Sequence, residues 1–179
     1  SYNTTMFKKI TQQIHIRLRN RAKTIAVAES CTGGQLSSLL TSLPGSSDYF
    51  LLGVVTYSNR SKEMILDIPA KTIASYGAVS AQVAILMAQN IREKTSADFG
   101  LSITGIAGPI KSSAPRRGTS NGNSPTRTTP AKSIGTVYIC LSERSKNICR
   151  KFHFPGNRVN IRKKSTQEAL RLLCAHLSP

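Results

Sequence analysis

Tryptophan is absent and acid is scarce: eight Asp and Glu stand against 25 Lys and Arg, a formal charge of +17. That balance favours polyanions, either nucleic acid or a phosphorylated small molecule. A basic solvated surface with no specific partner is the alternative. No RNP-type aromatic motif, zinc-finger spacing or heptad zipper sharpens the nucleic-acid reading. No apolar run approaches the ~20 residues of a membrane-spanning helix. The first residues lack the apolar core of a signal peptide. A soluble, cytoplasmic protein without membrane contact is the expectation. The four cysteines, Cys31, Cys140, Cys149 and Cys174, form no Cys-x-x-Cys pair, and His176 lies two residues past Cys174. No metal site and no cofactor is expected, and reduced, mostly buried thiols are the simplest reading.

What is present organises itself around Ala28-Glu29-Ser30-Cys31-Thr32-Gly33-Gly34. The apolar run Thr24-Ile25-Ala26-Val27 before it reads as a buried strand. After it, Leu36, Leu39, Leu40 and Leu43 recur at helical spacing. The chain therefore passes from strand through a small-residue turn into a helix. The free N–H groups and dipole of that helix can hold an oxyanion or a phosphate. A hydroxyl or thiol in the turn can attack a carbonyl. The plainer alternative is a tight Gly33-Gly34 turn with Ser30 or Thr32 as N-cap. No Gly-Lys-Ser/Thr follows, so this is not a Walker A loop, nor is it a Gly-x-Ser-x-Gly elbow.

The 179 residues suffice for one domain with a real core. Phe7, Ile10, Ile14 and Leu18 predict an amphipathic first helix. Phe50 to Ser58 reads as a strand buried on both faces, and Ser58 or Asn59 caps a short helix carrying Lys62. Tyr57 then falls at the carboxyl end of a strand, where open α/β sheets bind ligands. Ser80 caps a helix with Val83, Leu86, Met87 and Ile91 on one face. Asp98 to Ile103 is another strand, ending in Thr104-Gly105-Ile106-Ala107-Gly108-Pro109, a second small-residue turn. From about 110 to 133 the chain has little to bury and carries Lys111, Arg116, Arg117, Arg127 and Lys132 with no acid. It reads as a disordered basic loop, a solvated insertion or a nucleic-acid-binding arm. Ile134 to Leu141 and Ile148 to Phe154 form a hairpin through Ser142 to Asn147. A last helix turns Ile161, Ala169, Leu170, Leu173 and Leu177 to the core. The order gives an α/β layer with a mostly parallel sheet and one antiparallel member.

Several of these blocks together resemble the C-terminal domain of the competence/damage-inducible protein CinA. They are Ala28 to Gly34, then Gly53 to Asn59 with Lys62, Gly77 to Ser80, Thr104 to Pro109, Gly135 to Val137 and Gly156 to Arg158. They occur in the family's order over nearly the whole chain. The resemblance implies a three-layer α/β/α fold with a mixed sheet, usually homodimeric, without metal. It implies a nicotinamide-nucleotide amidase, which converts nicotinamide mononucleotide to nicotinate mononucleotide and ammonia. Ser30 matches the nucleophile, with Lys62 and Tyr57 as catalytic partners. Physical chemistry fits that assignment. A serine hydroxyl needs a nearby base, and a lysine serves once its pKa is lowered. The N–H groups around Thr32, Gly33 and Gly34 can form an oxyanion hole. Thr104, Gly105 and Gly108 can line the nucleotide, and Arg158 can pair with its phosphate. Where family members carry Asp-Gly-Gly after the second turn, this chain has Ile110-Lys111-Ser112. The competing expectation is a catalytically lapsed CinA-like domain that binds nucleic acid or a ribonucleoprotein through its basic surface.

Overall fold

The structure is a computed structural model that describes residues 2–108 and 133–178, with side chains from Phe7 onward. The expected basic loop, bar Ser133, lies outside the described residues. The chain opens with α1 (Tyr2–Asn20) and runs into β1 (Ile25–Glu29) and α2 (Gln35–Leu40). A 3-10 turn, Ser46–Asp48, leads to β2 (Phe50–Val55), α3 (Asn59–Leu66), α4 (Ala70–Tyr76) and α5 (Ala81–Thr95). Then come β3 (Phe99–Gly105), β4 (Thr136–Ser142), β5 (Asn147–His153) and α6 (Arg158–His176). The helix α4 has no counterpart in the sequence expectations. Among the described residues no helix is long and apolar enough to cross a membrane.

The five strands form one sheet in the order β2-β1-β3-β4-β5. β1 pairs in parallel with both β2 and β3, and β4 runs antiparallel to β3 and β5. One antiparallel member in an otherwise parallel sheet is the expected arrangement. Successive residues of β1 point to opposite faces. Ile25 and Val27 join Ile14, Leu36, Leu101 and Leu173 under α1, α2 and α6. Ala26 and Ala28 join Leu66, Ile73, Val83 and Met87 under α3, α4 and α5. The sheet is thus covered on both faces, and each fully buried Leu, Ile or Val contributes about 1.5–3 kcal/mol. The α5 layer sits tight on the sheet: a Cβ on Gly100 would come within 1.9 Å of the Ala88 carbonyl oxygen. Because β1, β2 and β3 are parallel, their carboxyl ends emerge on one edge. Ser30, Thr56 and Ile106 follow those ends directly.

Two expectations are corrected here. β2 is not buried on both faces. It is an edge strand that exposes Leu51, Leu52 and Val55. A continuous apolar run reads alike whether a helix or another chain covers it. Nor are all four thiols reduced: Cys140 and Cys149 stand directly opposite in the β4–β5 ladder and form a disulfide. Antiparallel pairing brings together residues equidistant from the turn, whatever their distance in sequence. Cys31 and Cys174 are free and buried.

Candidate active site

The turn after β1 is fixed by backbone bonds. The Ser30 N–H donates to the Ile103 carbonyl at 3.0 Å, and the Gly33 N–H donates to the Ser30 carbonyl at 3.1 Å. Glu29 ends β1 fully buried. Its carboxylate accepts from the N–H groups of Gly34 (3.1 Å), Leu36 (3.1 Å) and Ser37 (2.8 Å) and from the Ser37 hydroxyl (2.7 Å). A buried carboxylate needs such donors, and a helix N-terminus supplies them. The start of α2 is therefore filled by the protein's own acid and is not open to an oxyanion or phosphate. Neither Ser30 nor Thr32 caps it; Gly34 stands at the N-cap in left-handed conformation without a side-chain bond.

Lys62 is placed by the exit of β2. Ser58 and Ser61 form a reciprocal capping box at the start of α3. One turn on, Lys62 points inward and is 1% exposed. Its Nζ donates to the Thr56 carbonyl at 2.7 Å and to Ser30 Oγ at 3.2 Å. Among the described residues no carboxylate forms an ion pair with it. Burial without a counter-ion lowers its pKa from 10.5 to about 8, against a smaller opposing pull from Cys31. Roughly a tenth of it is neutral at pH 7 and half at pH 8. Burial acts oppositely on the neighbouring Cys31, whose thiol is pushed up to about 11. The pair therefore has the acid–base balance of an activated serine, with a base that titrates near neutrality beside a hydroxyl it touches.

Around this pair lies a cleft of about 230 Å³, whose walls include Tyr57, Thr104, Gly105, Gly108 and Arg158. Tyr57 is 59% exposed, and its hydroxyl accepts from Arg158 Nη2 across the mouth. Among the described residues it makes no hydrogen bond to Ser30 or Lys62. The Thr104 hydroxyl is spent on the Ala78 carbonyl, at 2.9 Å. Thr32, Gly33 and Gly34 fall elsewhere. Thr32 is buried, with Oγ1 lacking a hydrogen-bond partner. Gly33 and Gly34 line a separate cleft of about 500 Å³ with Phe7, Leu39, Val159 and Lys163. The sequence reading missed Glu29, whose signal was a lone acid ending a buried strand. It also missed Arg162, four residues beyond Arg158, whose Nη2 donates to the Thr32 carbonyl at 2.8 Å. Among the described residues no cluster of His, Cys, Asp and Glu is arranged to hold a metal ion.

The fold and this cleft define a three-layer α/β/α domain with a buried serine–lysine pair at the carboxyl ends of parallel strands. The chain belongs to the CinA C-terminal domain family, whose model matches residues 7–177. A CinA-like protein of Syntrophomonas wolfei is 44% identical over 160 residues, 89% of this chain and 35% of that protein. One from Thermotoga neapolitana is 42% identical over 170 residues, 95% of this chain and 38% of that protein. The chain thus spans little more than a third of these relatives. The solved structure of a competence or damage-inducible protein from Enterobacter asburiae superposes with a TM-score of 0.81 at 28% identity. That match covers 96% of this chain and 98% of the other.

Proposed function

We propose that this domain hydrolyses the carboxamide of nicotinamide mononucleotide, releasing nicotinate mononucleotide and ammonia. The observation that carries the reading is Lys62, buried, without an ion pair among the described residues and in contact with Ser30 Oγ. Neutral Lys62 accepts the Ser30 proton as Oγ attacks the carboxamide carbon. The resulting ammonium returns that proton to the departing nitrogen, which leaves as ammonia. Lys62, neutral again, takes a proton from water as it attacks the acyl-serine, and the proton goes back to Ser30 as the acid is released. Such proton transfer is worth typically ~10²–10⁴-fold. With α2 closed by Glu29, the N–H of Cys31, a residue of the cleft wall, is the donor we assign to the oxyanion. Arg158 and Tyr57, joined at the mouth, are assigned to the phosphate end of the substrate, where the guanidinium can pair bidentately. A cytoplasmic location is part of the same proposal.

Ammonia release from nicotinamide mononucleotide by the purified chain is the test. Turnover that follows enzyme concentration is expected. The +17 charge supports a second reading, a lapsed domain that retains polynucleotide. That reading takes over if no ammonia appears and binding weakens steeply with salt. Against it stands Lys62, whose burial costs stability and gives a binding module nothing in return.

The proposal includes a homodimer formed through β2. Leu51, Leu52, Val55, Met64 and Ile65 are all exposed on β2 and α3. The edge strand Phe50–Val55 carries no charge, although exposed edges are usually protected by charge or proline. A polyanion finds no purchase on that strip, whereas a second copy can bury it. Leu52→Lys is therefore expected to halve the mass measured by light scattering at micromolar concentration. A parent chain that is monomeric throughout, or a variant that stays dimeric, counts against the β2 interface.

A further inference from the structure

Among the described residues, Arg162 is a strongly basic group bound to the turn after Ser30 that the reaction above does not use. It lies on α6 one turn past Arg158 and reaches the turn that follows Ser30. Its Nη2 donates to the Thr32 carbonyl at 2.8 Å. It crowds Gly33, where a Cβ would stand 3.1 Å from Nη2, and Gly33 also has a φ of +61°. No ion pair among the described residues includes Arg162, and its buried Nε has no hydrogen-bond partner. Its side chain is half-buried, and among the described residues its strongest contact is this backbone carbonyl rather than a carboxylate.

The backbone shows what it holds. A trans peptide is planar, and its C=O and N–H point in opposite directions. In the Thr32–Gly33 peptide the carbonyl accepts from Arg162 at 2.8 Å and, at the longer 3.4 Å, from the Gln35 N–H, while the N–H donates to the Ser30 carbonyl. One plane is thus gripped at both ends, and the second grip is on Ser30 itself. Glu29 anchors the next stretch through Gly34, Leu36 and Ser37. We propose that Arg162 is a positioning residue that clamps the Thr32–Gly33 peptide and so holds Ser30 Oγ against Lys62 Nζ. The proposal deepens the serine–lysine reading and rests on it for the catalytic consequence. The clamp itself rests on geometry alone.

Arg162→Lys keeps the charge but replaces the planar fork that grips the Thr32 carbonyl with a shorter, flexible side chain ending in a point charge. Arg162→Ala removes both charge and donor. Backbone amide exchange over residues 30–34 is measured in both variants and the parent, alongside thermal unfolding. The Gly33 amide is expected to exchange at least about tenfold faster in both variants, because its partner plane is released. With nicotinamide mononucleotide, kcat should fall by ~10²-fold, as for a misplaced reacting group. KM should stay within about threefold, and the midpoint of the pH profile should stay where Lys62 sets it. Should Arg162→Ala not fold, Arg162→Lys carries the test. Parent-like exchange at Gly33 in Arg162→Lys overturns the clamp, whatever happens to activity. Exchange needs no turnover. A parent that releases no ammonia, with Gly33 deprotected in the variants, sinks the amidase reading and leaves the clamp standing.

Discussion

Replacing Lys62 by methionine is expected to remove ammonia release and, in the same protein, to make the fold harder to unfold at pH 7. The first effect follows from the loss of the base beside Ser30 Oγ, and the fall should reach ~10⁴-fold, the upper range for general-base catalysis. The second follows from burial. Lys62 is 1% exposed and without an ion pair among the described residues, and desolvation holds its pKa at about 8 instead of 10.5. That difference corresponds to roughly 3 kcal/mol against the folded state at pH 7. Methionine has similar length and no charge. It forfeits the bonds to the Thr56 carbonyl and Ser30, worth about 0.5–1.5 kcal/mol each. The expected net gain is about 0–2 kcal/mol, read from urea unfolding.

The sign with pH is fixed as well. Between pH 8 and 10.5 the unfolded lysine holds a proton that the folded one has lost, so stability of the parent rises across that window. Below pH 8 the penalty is present in full. Lys62→Met should lack the rise. In the parent, ammonia release should climb with pH around a midpoint near 8, as neutral Lys62 accumulates. A variant less stable than the parent at pH 7 would contradict the uncompensated burial of this lysine.

Much of the framework was legible because period and punctuation agreed. The apolar run Ile25-Ala26-Val27 reads as a buried strand and the stripe Ile161, Ala169, Leu170, Leu173, Leu177 as one face of a helix, and these side chains are buried in the structure. Ser58 and Ser80 read as caps because a hydroxyl before a helical stripe has few other uses, and both accept the expected backbone N–H. The parallel strands then brought Ser30, Tyr57, Lys62, Thr104, Gly105, Gly108 and Arg158 to one edge. What escaped the sequence depends on contacts between distant segments. That Glu29 turns back into the start of α2 is a rotamer choice, and composition does not encode it. The exposure of Leu51, Leu52 and Val55 depends on β2 being last in the sheet. The disulfide was within reach: Cys140 and Cys149 lie equally far from the middle of the Ser142–Asn147 turn. Reasoning from Cys-x-x-Cys spacing overlooked what the hairpin register implies.

The sharpest separation at the site is between Ser30 and its neighbour. Ser30→Ala should lose at least ~10³-fold in ammonia release, since without the nucleophile the rest of the unit has little to act on. Cys31→Ala should stay within about threefold of the parent, a much smaller loss than removing a general base brings. The thiol has the intrinsic reactivity to compete, so its environment must decide. Burial pushes it up to about 11, and the nearby cations Arg162 and Lys62 only partly offset this. Thiolate is therefore negligible at neutral pH. A cysteine hydrolase normally supplies a histidine. Here His15 bonds to the Tyr49 hydroxyl, His176 to Glu143, and His153 ends β5; none lines the cleft. The Cys31 side chain is packed instead, with Sγ 3.1 Å from where a Cβ on Gly105 would stand and its neighbours in the core. Its truncation should lower stability by about 1–2 kcal/mol through the lost contacts, a change visible in thermal unfolding and not in turnover. Iodoacetamide, where it reacts, should inhibit by filling the cleft, and Cys31→Ala should be both active and resistant to it. Folded Cys31→Ala protein without activity, beside an active Ser30→Ala, would move the nucleophile to the thiol and require a base other than Lys62.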